Sequence, residues 1–172
     1  MVEVDRAQIK TELIARAEQL FSQWDQLDVV AEDPEKQFIA KQTFSDEGLG
    51  ITIAEMTVPG LTREHLQPWL DDPLATMMVL NNRVERFELP DHDGHKMWRM
   101  KMNMPLVISN RAIVTCIYRA ELDDGFSALF HSGRGNEAFI ESCMEEIGSD
   151  VIADMQINFT AFKEVDGGIK LK

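Results

Sequence analysis

The stretch MPLVISNRAIVTCIYRAELDDGFSALFHS, Met104 to Ser132, sets the fold class. A proline and the polar pair Ser109-Asn110 precede the β-prone run RAIVTCIYRAEL, which breaks at Asp123-Asp124-Gly125 and resumes as FSALFHS. Two such runs on either side of an Asp-Gly turn read as an antiparallel hairpin. Just upstream, Trp98, Met100, Met102 and Met104 alternate with Arg99, Lys101 and Asn103. Side chains of a strand point to opposite faces in turn, so the first set is expected on a dry face and the second on the other. RVERFEL enters that run through Pro90-Asp91-His92-Asp93-Gly94, another turn signal.

The rest of the chain extends this meander. Ile9, Leu13, Ala17, Leu20, Phe21 and Trp24 recur at helical spacing, with Asp5 placed to cap and Gln8 three residues on, which predicts a helix ending near Trp24. QFIAKQTF and GITIAEMTV are strands joined by the turn Ser45-Asp46-Glu47-Gly48. TREHLQPWL reads as a short helix capped by Thr62 and kinked or ended by Pro68, and PLATMMVLNN as a second one starting at Pro73. GRGNEAFIESCMEEIGSD is a long connection with some helical character, followed by the strand VIADMQINFTAF and a final GGIKLK. In that strand Val151, Ala153, Met155, Ile157, Phe159 and Ala161 alternate with polar residues. The predicted class is α+β, with an antiparallel sheet, an N-terminal helix and two short helices between strands.

Composition bounds the function classes. The 172 residues, without repeat or linker, are read as one domain over 1–172. A formal charge of -13 repels phosphate backbones, so nucleic acid is not an expected partner, and it disfavours lasting residence on an anionic membrane while allowing transient contact with a neutral one. Two cysteines, an acidic N-terminal stretch and no run of about 20 apolar residues fit a cytoplasmic protein without disulfides or membrane spans. Ten methionines, flexible and polarizable, suit a surface that adapts to ligands of variable shape. Periodicity alone also allows the methionine face to be ordinary core, packed on the N-terminal helix.

MPLVISNRAIVTCIYRAELDDGFSALFHS resembles the START lipid-transfer domains, whose pattern is a proline-containing loop, Arg-Asp, a strand, a charged Gly turn and a second strand. VPGLTREHLQPWLDDPLATMMVLNNRVERFEL resembles that family's two short helices and following strand, and VIADMQINF the strand after its long loop. The likeness spans about residues 37–172. It implies the helix-grip fold, a strongly curved antiparallel sheet around a cavity for one hydrophobic ligand, and an activity of carrying or sensing lipid without a cofactor or covalent chemistry. Three positions depart from the pattern. Ala112 replaces the aspartate after the loop arginine; Trp98 and Ile117 stand where sterol-binding relatives carry an acid and an arginine; and the sequence stops at Lys172, where the family continues into a C-terminal lid helix. A bent sheet without that helix needs cover from a ligand, from the N-terminal helix, or from a second copy in a homodimer.

On this reading Trp98, Met100, Met102, Ile113, Thr115, Ile117, Met155, Ile157 and Phe159 line the cavity. Thr115 either orients a ligand or satisfies its hydroxyl on a nearby carbonyl. The loop carrying Leu106, Val107 and Ile108, with the connection 134–149, is the expected gate. Val107→Asp is expected to slow lipid exchange between vesicles with the fold intact; unchanged exchange would remove this loop from the membrane step.

Two competing classes are a cyclase or hydrolase of the helix-grip superfamily and a ligand-free protein-interaction domain whose acidic surface meets a basic partner. The sequence carries no Ser-His-Asp order, phosphate-binding Gly loop or zinc signature, so no catalytic residue and no metal ligand is assigned. His92 and His95 read as a solvated turn, His65 as helix surface, and His131 as a strand-end residue that either faces a pocket or lies at the surface. Cys116 and Cys143 read as small buried hydrophobes. Arg111 is a candidate to hold a ligand carboxylate, whereas the resemblance implies a structural role, tying its loop to neighbouring strands.

Overall fold

The computed structural model describes residues 5–73, 84–104, 109–143, 151–152 and 158–172. Its elements are α1 (Arg6–Ser22), β1 (Asp28–Asp33), β2 (Phe38–Phe44), β3 (Gly50–Pro59), α2 (Arg63–Asp71), β4 (Val84–His92), β5 (His95–Met102), β6 (Arg111–Glu121), β7 (Ser127–Ser132), α3 (Glu137–Ser142), β8 (Val151–Ile152), β9 (Phe159–Val165) and β10 (Gly168–Leu171). The hydrogen-bonded order is β1-β2-β3-β10-β9-β7-β6-β5-β4, with β8 joining β6 in parallel at Arg111 and Ala112. Among the described residues β1 and β4 stand at the two ends of that order. The architecture is α+β, as the alternating strand and turn signals require.

Most elements start and stop where local chemistry says they should. Asp5 caps α1, its carboxylate accepting the Gln8 amide at 2.9 Å. β2 and β3 close on Ser45–Leu49, with Gly48 in the left-handed region at φ 77° and its amide donating to the Ser45 carbonyl. The β4–β5 hairpin is tighter than the sequence suggested. His92 pairs with His95, and only Asp93 and Gly94, both at positive φ, form the turn. DVVAED forms β1, a strand not anticipated because nearly all of it is exposed and its acidic ends mask the Val-Val run. Pro68 lies inside α2, so the helix does not end there, and just before it the Thr62 carbonyl accepts the Leu66 amide at 3.3 Å while His65 Nδ1 lies 3.0 Å from the Thr62 hydroxyl and accepts the Thr62 amide. The predicted helix from Pro73 falls mostly outside the described residues.

Contacts cluster into two compact units. The first comprises residues 1–11, 67–118 and 130–159, the second residues 12–66, 119–129 and 160–172. In the second unit β2, β3, β10 and β9 pair in continuous antiparallel registers, and Leu13, Ala17, Leu20, Ile53, Phe126, Ala161, Phe162 and Ile169 are buried. Lys172 Nζ sits 4.4 Å from the Phe21 ring centroid, 5.4 Å from that of Phe126 and 3.3 Å from a Glu55 carboxylate oxygen. Lys172→Ala is expected to lower stability by about 1 kcal/mol in urea denaturation, through the lost cation–π and ion-pair contacts. A change within error would make them incidental.

In the first unit the residue that anchors the chain's beginning is Arg6. Its guanidinium donates to Asn136 Oδ1 at 2.7 Å, to the Tyr118 hydroxyl at 3.0 Å, to Cys116 Sγ at 3.4 Å and to the His92 carbonyl at 3.4 Å. Tyr118 and Cys116 share one face of β6, so α1 begins against that face.

Candidate functional site: the methionine face

The register of β4, β5 and β6 decides which side chains meet. Met100 pairs with Arg86 on one side and Ile113 on the other; Trp98 pairs with Glu88 and Thr115, and Met102 with Val84 and Arg111. Directly paired residues point to the same face, so Trp98, Met100, Met102, Ile113, Thr115 and Ile117 form one surface. Met100 is buried at its centre, with Trp98, Met102, Ile113 and Ile117 packed against it and half-exposed. Six of the nine expected lining residues therefore come together.

The opposite face is the more thoroughly covered one, which corrects the simple polar-against-apolar reading of this strand. Leu89, Met97, Ala112, Val114, Cys116 and Tyr118 are buried there, and so is Arg99, whose guanidinium lies 5.0 Å from the Phe87 ring centroid. Arginine allows this because its stem packs like hydrocarbon while its planar head stacks on an aromatic ring. Arg6 approaches from the same side, so the covered core belongs to this face and the start of the N-terminal helix does not fill the methionine face.

The remaining expected residues separate. Phe159 is not with the methionines: its ring lies 5.4 Å from that of Phe130, and Phe130 alternates along β7 with His131. Met155 and Ile157, and the gate residues Leu106, Val107 and Ile108, lie outside the described residues, as do parts of the 134–149 connection. Thr115 is fully buried and its hydroxyl donates to the Cys116 carbonyl at 3.0 Å, the local satisfaction that was one of its two readings. Arg111 donates to the Ser109 carbonyl at 2.8 Å, tying its loop.

Residues outside the expected lining share this face, among them Arg86 and His131 beside the charged Glu88, Lys96 and Arg111. Arg86 lies over Trp98, 4.5 Å from the ring centroid, and ion-pairs with Asp72. His131 arrives from β7. The Cys116 thiol donates to the Ser132 carbonyl at 3.5 Å, and the Ser127 hydroxyl donates to the Glu121 carboxylate at 2.9 Å. The Leu122 amide donates to the Phe126 carbonyl at 2.8 Å, and with it both contacts fit one antiparallel register, in which His131 stands opposite Ile117 and so on the methionine face. Only 5% of His131 is exposed, and Nδ1 has no hydrogen-bond partner among the described residues. Burial pushes its pKa down to about 4, so the ring is neutral near pH 7.

The other titratable groups take structural roles. Burial raises the Cys116 thiol pKa and pushes the Tyr118 phenol up to about 12, so neither ionises near neutrality. His92 stacks on Phe139 with centroids 4.5 Å apart, and Cys143 is buried. Among the described residues, no three His, Cys, Asp or Glu side chains gather as a metal site, and no helix is long and apolar enough to cross a membrane.

No family model matches the sequence, and no curated protein matches it. Solved structures do match the fold. Human StAR-related lipid transfer protein 5 superposes with a TM-score of 0.68 at 15% identity, covering 96% of this chain and 78% of that one. The chain has a START-like fold. A STAR-related lipid transfer protein from Xanthomonas axonopodis matches this START-like fold with a TM-score of 0.63 at 12% identity, over 84% of this chain and 77% of that one. Human STARD10 matches with a TM-score of 0.62 at 10% identity, over 89% and 62%. Within the START-like sheet, Trp98 and Ile117 share the methionine face, and neither brings a charge to it.

Proposed function

We propose that this chain binds a single hydrophobic ligand, a lipid, against the methionine face and acts as a carrier or sensor without covalent chemistry. The observation that carries the reading is the packing of Trp98, Met102, Ile113 and Ile117 around Met100, on the face turned away from Arg6. Those four side chains remain half-exposed. Removing such surface from water contributes about 25 cal/mol per Å², and methionine adapts its shape to an acyl chain or a ring system. The lipid-transfer proteins that share the fold support the same ligand class.

The proposal extends to a cytoplasmic protein with transient membrane contact, and to Leu106, Val107 and Ile108 as the loop that meets the bilayer. Met155 and Ile157 complete the wall on this reading, and a homodimer is the alternative cover. The charge of -13 argues against nucleic acid and against lasting attachment to anionic lipid.

Native mass spectrometry before and after incubation with phosphatidylcholine vesicles tests the reading. A one-to-one lipid adduct on the monomer is the expected result. A protein that emerges empty, or one whose only adduct is a second copy of itself, overturns it.

A further inference from the structure

We propose that His131 is the polar anchor of the methionine face and selects an uncharged lipid bearing a hydroxyl group. The inference rests on the binding site proposed above and adds the chemical class of its ligand. Three observations carry it. The β6–β7 register puts His131 opposite Ile117, on the same face as Met100. The side chain is almost fully buried, yet Nδ1 lacks a partner among the described residues. The other buried polar group established on this face, the Thr115 hydroxyl, is already used by the Cys116 carbonyl.

A buried nitrogen without a partner is costly to leave unmade, and a ligand that supplies one recovers that cost on binding. A neutral imidazole has one N–H and one lone pair, so it matches a hydroxyl, which both donates and accepts. A carboxylate or phosphate fits poorly. His131 is held neutral by its surroundings, and an anion buried beside it would lose its water without gaining a counter-charge. The described cations on this face are engaged, distant or exposed: Arg86 on β4 pairs with Asp72 and Lys96 with Glu88, Arg111 lies six residues from Ile117 along β6, about 20 Å in a strand, and Arg119 is exposed. An aliphatic alcohol is the simplest probe of the idea.

The test loads the full chain from phosphatidylcholine vesicles carrying, at equal mole fraction, radiolabelled hexadecanol, hexadecane or palmitate, and counts label on the re-isolated protein. Hexadecanol is expected to exceed both by about ten-fold. His131→Leu should remove that preference while still taking up hexadecane. His131→Gln, which keeps a donor and an acceptor, should retain part of it, and guards against a leucine variant that fails to fold. In nitrogen NMR of the wild type, the His131 Nδ1 resonance should shift with hexadecanol and not with hexadecane.

Equal uptake of alcohol and alkane, a preference unmoved by His131→Leu, or a preference for palmitate overturns the anchor and leaves lipid binding standing. An unchanged Nδ1 resonance in hexadecanol-loaded protein overturns it too, as expected if a resident water already serves the nitrogen. Failure to take up any of the three lipids removes the binding face itself, and the anchor with it.

Discussion

Arg6→Ala is expected to destabilise the protein by about 3 kcal/mol in urea denaturation. Hydrogen bonds to a charged donor contribute about 1.5–3 kcal/mol each, and the bonds to Asn136 and Tyr118 have good geometry. Truncation removes both and strands their acceptors in a largely enclosed pocket. Asn136 Oδ1 loses the partner that complements its amide, which donates to the Gly133 and Arg134 carbonyls. Arg6→Lys should recover less than half, since one ammonium cannot span acceptors contributed by β4, β6 and the approach to α3. A loss below about 1 kcal/mol would mean that the Arg6 contacts exchange freely with water.

The second large effect is a selective loss of stability in mild acid. The folded protein holds His131 neutral down to about pH 4, whereas an unfolded histidine takes a proton near its ordinary value of 6.5. Between those values the unfolded state binds more protons than the native state, so stability must fall as pH falls. The contribution is complete above about pH 6.5 and is lost progressively toward pH 4. It amounts to about 2 kcal/mol between pH 7 and pH 5. Carboxylates also titrate over part of this range, so the measurement is the difference between wild type and His131→Leu. The variant should show a flatter profile from pH 7 to 5, and parallel profiles would place His131 in contact with water.

The hairpin of β6 and β7 is legible in Met104–Ser132 because its signals are local: a β-branched run, an Asp-Gly turn and a second run. The helix cap at Asp5 and the Gly48 turn are legible for the same reason. β1 is not, since its strand character comes from pairing with β2 and its acidic ends argue for loop. The methionine face shows the same division. Alternation and a consistent register bring six expected residues together, yet alternation is silent about what packs on either side. Arg99 therefore reads as solvent-facing, although its stem is buried over Phe87. His131 is obscured because every residue from Ala128 to Ser132 is buried, leaving no period to reveal its direction. Phe159 fails for a related reason: its partner across the sheet, Phe130, is fixed by long-range register that the run VIADMQINF does not encode.

β1 presents Val29 and Val30 to solvent on an outer strand, the kind of border onto which another molecule's strand can be stitched. Its irregular step between Val29 and Ala31 spoils a straight template, and Asp28, Glu32 and Asp33 add mutual repulsion between copies. Colloidal behaviour should follow from that defence. As the pH approaches the isoelectric point of about 4.6, repulsion fades while the irregular step remains, so turbidity is expected to rise there and to clear on return to neutrality.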